Sequence, residues 1–322
     1  MAYTTIDKPS DYFNTIAYTG DGGQDVTGVG FQPDLVWVKA RGNTYNHQLH
    51  DSVRGATAGM LSSNLTDAES TLYEFDSFDS DGFTTDSGNI TGVNGSGHTQ
   101  VAWNWLAGTP VSGTTNNSKS YSGSVNTTSG ISIINFVGDG TAGHEIPHHL
   151  GVAPKMVIVK NRTSASTFWQ TYHYNLDSGA GTHEIFLNST NGTNASSGAW
   201  NNTAPSSTVV TKGTGSYGNE NNSNHIMYSF AEKKGYSKFG SYVANGNSDN
   251  AFVYTGFKVA FLMTKLSSHS GGGWEIVDNK RDGYNGENNR LYPNDNAVEG
   301  TGNDYDLLSN GFKVRQSGGS QQ

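Results

Sequence analysis

Few side chains in this sequence stand at the spacings that chemistry requires. His144, His148 and His149 gather around Glu145, residue types that zinc sites use. A His-x-x-x-His pair needs a helix to bring both rings onto one face, and Gly143 and Pro147 make this stretch a polar loop between strands instead. Asp76, Asp79 and Asp81 precede Gly82 loosely in the manner of a calcium loop. No Glu follows at the twelfth position of such a loop, so they read as surface carboxylates with at most a weak calcium site. Glu184, Glu275, Asp278 and Asp282 are of the type that glycoside hydrolysis employs in facing pairs. No nucleophile elbow, P-loop or His-Glu-x-x-His motif accompanies them. The chain is therefore expected to be non-catalytic and to carry no cofactor. Sugar stacking is the remaining chemistry, with aromatic faces against sugar rings and Asn or Asp accepting from hydroxyls. Its candidates are Trp200, Trp169, Tyr172, His173, Trp274, Tyr284 and Tyr292. Trp200, within Gly-Ala-Trp-Asn-Asn, is the one expected to be most exposed.

The elements that must hold these residues are strands. Of 322 residues 42 are Gly, charged residues make up only 15%, and there are 16 Tyr, 14 Phe and 6 Trp. Short bursts of Tyr, Trp, Phe, Val and Thr between Gly/Asn/Ser clusters are strand-and-turn punctuation, and this many aromatic residues argue against disorder. The absence of Cys excludes disulfides and thiolate metal sites. A net charge of −9, with no basic cluster longer than Lys233-Lys234, argues against a nucleic-acid partner. No apolar run reaches the ~20 residues of a membrane helix, and the first residues lack the basic and apolar regions of a signal peptide.

One pattern occurs three times. A strand entering a glycine turn reads Ile16-Ala-Tyr-Thr-Gly-Asp-Gly22, Ile134-Asn-Phe-Val-Gly-Asp-Gly140 and Gly240-Ser-Tyr-Val-Ala-Asn-Gly246. A near-continuous apolar strand ending in Lys reads Pro33-Asp-Leu-Val-Trp-Val-Lys39, Pro154-Lys-Met-Val-Ile-Val-Lys160 and Val259-Ala-Phe-Leu-Met-Thr-Lys265. Such runs are buried on both faces. A third element is aligned as Leu49-His-Asp51, Trp169-Gln-Thr171 and Trp274-Glu-Ile276, which puts Trp169 and Trp274 at one architectural position. Alternating closing strands follow in the first two copies, Val101-Ala-Trp-Asn-Trp-Leu106 and Ile226-Met-Tyr-Ser-Phe-Ala231. The carboxylates named above differ from copy to copy, which further weakens the hydrolase reading. The copies recur at whole-domain intervals, far beyond the roughly 20–50 residues of solenoid repeats. The expected fold class is all-β, with tandem antiparallel β-sandwich domains of jelly-roll type. Residues 1–108 form the first sandwich, 109–129 a flexible linker, 130–234 the second sandwich and 235–322 the third. The third copy lacks a closing strand, so either the chain is truncated or another chain completes it.

Several stretches carry a family resemblance. They are Phe31-Gln-Pro-Asp-Leu-Val-Trp-Val-Lys39, Asp51-Ser-Val-Arg-Gly55, Phe78-Asp-Ser-Asp-Gly-Phe83, Val101-Ala-Trp-Asn-Trp105 and Phe230-Ala-Glu-Lys-Lys-Gly-Tyr-Ser-Lys-Phe-Gly-Ser-Tyr242. Together they resemble the repeat-containing virion structural proteins of marine tailed phages, including cyanophages. That resemblance implies tandem sandwiches of concanavalin/laminin-G type and a place on the virion after synthesis in the host cytoplasm. The expected function is a tail-fibre or appendage component that recognises the host surface. Its partners would be copies of itself as a homotrimer, other virion proteins and a host surface glycan, without membrane insertion. The alternatives are a capsid-surface decoration or attachment protein without receptor binding, and a secreted carbohydrate-binding module or glycan hydrolase.

Overall fold

In the first repeat, Gly, Asn and Ser clusters break the chain into short antiparallel strands. These are β1 (Phe13–Thr19), β2 (Asp25–Thr27), β3 (Leu35–Ala40), β4 (Gln48–Asp51), β5 (Phe75–Asp79), β6 (Gly82–Thr85) and β7 (Thr99–Trp105). They form a four-stranded sheet in the order β1-β7-β3-β4 and a three-stranded sheet β2-β6-β5. The computed structural model describes residues 4–88, 92–281, 285 and 288–316. The turn into β6 depends on glycine: Gly82 has φ +151°, and a Cβ there would meet the Val26 carbonyl oxygen at 1.8 Å.

The second repeat opens with β8 (Thr109–Thr114) and β9 (Ser120–Asn126), a hairpin on the edge of its sheet. This corrects the expectation of a flexible linker over 109–129. Val111, Tyr121 and Val125 supply apolar contacts there, and Gly123 lets the strand lie against Ile133, whose carbonyl oxygen a Cβ would meet at 2.3 Å. Ser/Thr/Gly composition reads as a linker, yet Thr and Val are also good strand residues at a sheet edge. Next come β10 (Ile131–Val137), β11 (His144–Pro147), β12 (Met156–Asn161), β13 (Gln170–His173), β14 (His183–Phe186) and β15 (Asn194–Ala195). After the short helix α1 (Ser197–Trp200), β16 (Val209–Lys212) is followed by α2 (Ser216–Asn219) and β17 (Asn224–Phe230). Eight strands make one sheet, in which β17 lies between β10 and β12, while β11 and β16 pair opposite.

The third repeat contains β18 (Phe252–Tyr254), β19 (Phe261–Lys265), β20 (Trp274–Asp278), β21 (Asn288–Arg290), β22 (Gly300–Gly302), β23 (Tyr305–Leu308) and β24 (Gly311–Val314). Its sheets are smaller: β19-β20, β21-β22 and β18-β24-β23.

The alternation of side chains along each strand explains the unbroken apolar runs. Val36 and Val38 of β3 face β2, β5 and β6, joining Val26, Phe75 and Phe83 in a core local to the first repeat. Leu35 and Trp37 face the other way. They meet Val101 and Trp103, then Ile131, Ile133, Ile158 and Tyr228 of the second repeat, and Trp274, Ile276 and Leu291 of the third, in one continuous cluster. The second and third repeats have local cores too, around Phe136, Val157 and Val210 and around Val277, Tyr305 and Phe312. Each repeat thus gives one face of its main sheet to a common core and keeps the other for itself.

Strand pairing also corrects the alignment of the third element. Trp37 lies opposite Leu49, Ile158 opposite Thr171, and Met263 opposite Ile276. Counted from Lys39, Lys160 and Lys265, the equivalent residues are therefore His47, Trp169 and Trp274, and four residues further on Asp51, His173 and Asp278. The first copy slips by two residues from the sequence alignment. A two-residue shift preserves the inward and outward alternation, so the apolar pattern alone could not reveal it.

The repeat lysines serve the fold. Lys39 Nζ donates to the carbonyls of Ala40 (2.6 Å) and Asn43 (3.0 Å). Lys160 donates to those of Thr167 (2.8 Å) and Thr66 (3.1 Å), and Lys265 to those of Leu266 (2.8 Å) and Gly272 (2.6 Å). Burial lowers all three ammonium groups to about 8. Each lysine ties a loop to the end of its strand.

Candidate functional site

Most of the aromatic candidates are structural. Trp200 is fully buried, which overturns the expectation of an exposed ring. Helix α1 tucks it under the ammonium of Lys212, 3.7 Å from the ring centroid, and edge-on to Tyr172 at 5.8 Å. Tyr172 is itself buried. Trp169 and Trp274 are buried as well, and their indole N–H groups donate to the carbonyls of Ser62 and Phe186, both at 2.9 Å. His173 and Tyr292 are half-buried. Tyr284 and Asp282 lie outside the described residues.

The carboxylates considered for hydrolysis are engaged in internal bonds. Glu184 accepts from Gln170 (2.7 Å) and Asn194 (3.1 Å). Glu275 accepts from the Tyr305 hydroxyl (2.9 Å). Asp278 accepts from Trp103 (3.0 Å) and Arg281 (2.7 Å). The calcium candidates also hold loops together: Asp81 accepts from the backbone of Gly28 (3.1 Å) and Gly30 (2.6 Å), and Asp79 from Ser77 and Thr84, both at 2.8 Å. Asp76 is exposed. The three histidines diverge, His144 to Asn219 and Thr115, His148 to Ser206, and His149 to Tyr121. Among the described residues, no three His, Asp or Glu side chains are grouped to hold a metal ion.

The junctions between repeats hold the most organised polar chemistry, and they form a closed cycle. The main-chain N–H groups of Glu69, Thr193 and Glu299 donate to the carbonyls of Arg162 (2.9 Å), Ser267 (2.9 Å) and Arg41 (2.7 Å). These bonds join the first repeat to the second, the second to the third, and the third back to the first. Beside them, the side-chain carbonyls of Asn64, Asn188 and Asn294 accept from the main-chain N–H of His47 (3.0 Å), Trp169 (3.0 Å) and Trp274 (2.6 Å). Two junctions carry matching ion clusters: Arg54 and Arg162 on Glu69, and Arg281 and Arg41 on Glu299. Arg54 and Arg281 also bind Asp51 (2.6 Å) and Asp278 (2.7 Å), with all four side chains fully buried. The repeated Asp-x-x-Arg spacing of Asp51/Arg54 and Asp278/Arg281, and the placing of Arg41 and Arg162 two residues after the repeat lysines, are the sequence signals that would have found these clusters.

At the remaining junction Thr193 and Ser267 stand where the others have Glu and Arg. The surface there opens into a shallow depression of about 480 Å³, lined by small polar groups including Asn191, Thr193, Asn194, Ser268 and His269. A second feature lies on the third repeat. Phe252 and Tyr254 occupy alternate positions of β18 and are 47% and 60% exposed, while Val253 between them joins the local core. In the first repeat β2, which pairs with β6 as β18 pairs with β24, presents Asp25 and Thr27 outward instead. The aromatic pair is therefore not part of the repeated architecture. Lys313 lies opposite Phe252 and forms an ion pair with Asp249, and Arg315 pairs with Asp306 at 2.6 Å, so charged and hydrogen-bonding groups border the two rings. The sequence candidates for sugar stacking missed this pair because an alternating Phe-Val-Tyr reads equally well with either face buried.

No curated protein and no solved structure matches the chain. The model of a family described as a domain of unknown function, DUF7483, matches residues 8–322, running through all three repeats, and the chain belongs to that family.

Proposed function

We propose that the protein is a non-catalytic structural component of a tailed-phage virion, part of a fibre or other appendage, that recognises a glycan on the host surface. The tandem units would be of jelly-roll, concanavalin/laminin-G-like type, and self-association as a homotrimer would multiply weak contacts per chain. The observation that carries the binding part is the exposed Phe252–Tyr254 pair, set among charged groups, where the other aromatic residues described, Tyr73 apart, are buried or half-buried. Two exposed rings on one flat strand face suit the apolar face of a sugar, and the bordering Lys313, Asp306 and Arg315 suit its hydroxyls. The virion part rests on the sequence resemblance. A Phe252→Ala/Tyr254→Ala variant should keep its thermal unfolding temperature within a few degrees and lose adsorption to host cells or binding to their extracted polysaccharide. Unchanged adsorption by a folded variant would overturn the glycan assignment. Labelling intact particles for electron microscopy checks the location.

The cyclic arrangement favours a second reading, a capsid-surface decoration or attachment protein. One chain whose three repeats bind in a ring suits a three-fold lattice point without further copies. Decoration spread over the capsid lattice would support that reading against the appendage.

A further inference from the structure

The second repeat buries a lysine that the repeated architecture does not call for. Lys212 ends β16 on the side of the local core, two residues beyond Val210. The same position holds Thr85 in the first repeat, two beyond Phe83, and Val314 in the third, two beyond Phe312. Lys212 is fully buried, and its Nζ donates to the side-chain carbonyl of Gln170 on β13, in the facing sheet. From the other end of that amide, Gln170 Nε2 donates to Glu184 at 2.7 Å, and both of these side chains are buried as well. Amine, amide and carboxylate therefore touch in sequence, shielded from water. Trp200 covers the amine, and α2 closes over the group at Gly218, where a Cβ would meet Lys212 Nζ at 2.6 Å.

Among the described residues, only the second repeat completes this set. Gln48 takes the place of Gln170 in the first repeat and donates to Glu74 at 3.0 Å, but Thr85 offers no amine. The third repeat has Glu275 and Val314 at the two positions. Burial also brings the Lys212 ammonium down to about 7, against the opposing field of Glu184. A large share is then the neutral amine, which is the nucleophilic form.

We propose that Lys212 and Gln170 become joined by an intramolecular isopeptide bond, with Glu184 as the acid and base of the step. Nζ contacts Oε1, one bond from the carbon it attacks. As the Nζ–Cδ bond forms, the carbonyl electron pair moves onto Oε1 and Glu184 takes a proton from Nζ. Glu184 then gives that proton to Nε2, the carbonyl re-forms, the Cδ–Nε2 bond breaks and ammonia leaves. One amine and one primary amide yield one secondary amide and one ammonia; nothing is oxidised or reduced, and Glu184 returns to its starting state. Contact between the groups supplies the proximity such a step needs, and a neutral amide replaces an ionisable group that is costly to bury. The bond would tie β16 to the eight-stranded sheet across the second repeat. It forms once per chain and is not turnover, and it stands apart from the glycan and virion readings.

The test is mass spectrometry of the purified full chain. Its intact mass should fall one ammonia below that of the sequence. Tryptic digestion should give a branched peptide joining Gln170 to Lys212, with no cleavage after Lys212. Glu184→Gln and Lys212→Arg should each restore the full mass, with tryptophan emission reporting that the variants fold. The reading of the unaltered chain does not depend on those variants. A folded chain of full mass that releases the two peptides separately would overturn the proposal, and so would an ammonia loss that maps elsewhere. A folded Glu184→Gln chain that still carries the bond would overturn the role given to Glu184.

Discussion

Replacing Tyr228 by Phe removes a single oxygen and tests whether the repeats behave as one cooperative body. Tyr228 is buried in β17 of the second repeat, and its hydroxyl donates to Asp51 in β4 of the first. Burial and the neighbouring Asp51 carboxylate push its ionisation far up, so it remains a donor at any ordinary pH. A hydrogen bond to a charged group contributes about 1.5–3 kcal/mol. Asp51 keeps its bonds from Arg54 Nε (2.6 Å) and the Arg54 main-chain N–H (2.9 Å), so the carboxylate is not stranded, and a loss of about 2 kcal/mol is expected. With a urea slope of ~3 kcal/mol/M for a chain of this size, the midpoint should fall by ~0.7 M with no change in slope. Tyr18→Phe, whose hydroxyl meets the Val93 carbonyl within one repeat at 2.7 Å, should cost about half as much. The stronger readout is native-state hydrogen exchange. In Tyr228→Phe the slowest amides of β3 and of β12 should lose the same free energy, because the common core unfolds as a unit. Destabilisation confined to β12 and β17, or two separate unfolding transitions, would refute the reasoning.

Four further outcomes follow from the same structure. Asn64→Ala, Asn188→Ala and Asn294→Ala should each cost about 1–3 kcal/mol in denaturant melts, because each leaves a main-chain N–H without its acceptor; strongly unequal losses would contradict the equivalence of the three positions. His47, His50 and His225 are held neutral by burial, His225 down to about 3. Because the unfolded chain takes up protons near 6.5 and the folded chain does not, stability present above that pH should be lost as pH falls from 6.5 to 5, by about 1.4 kcal/mol per pH unit for each histidine, and a flat profile of urea midpoints over that range would sink the assignment. Gly82→Ala and Gly311→Ala should lower the melting temperature sharply, since the added methyl would meet the carbonyl oxygens of Val26 at 1.8 Å and Val253 at 2.1 Å; the measurement is a thermal scan of each variant. Trp200→Ala should cost about 3–5 kcal/mol in stability and leave the proposed glycan binding unchanged per folded molecule, which isothermal titration checks.

The strand content and the repeat were legible because their signals are local. Gly-Asp-Gly turns, Lys-terminated apolar runs and alternating closing strands each declare themselves within about ten residues. The all-β class followed directly. The destination of the second face of each strand did not: Leu35 and Val36 read alike, and only the placement of three sheets tells which enters the common core. The hairpin of β8 and β9 was hidden by a composition shared with linkers. The stacking candidates were chosen by residue type in a polar context, and the polar context of Trp200 proved to be Lys212 folded over its ring. Phe252 and Tyr254 were passed over for the opposite reason, since an apolar triplet suggests burial. The junction clusters escape a reading of one element at a time, because Glu69, Arg54 and Arg162 come from separate elements; only setting the repeats side by side, where Asp-x-x-Arg recurs, brings them out.

Closing the cycle between Arg41 and Glu299 has a consequence for biosynthesis. The first sheet is complete once β7 has been made, yet the partners of its Leu35/Trp37 face include Trp274, Ile276 and Leu291, which are translated much later. The growing chain must hold that apolar face in water, or on a chaperone, until the third repeat leaves the ribosome. Such late, long-range contacts slow folding and expose intermediates to aggregation. Shortening the chain from its far end should therefore harm the solubility of the first repeat as much as that of the last.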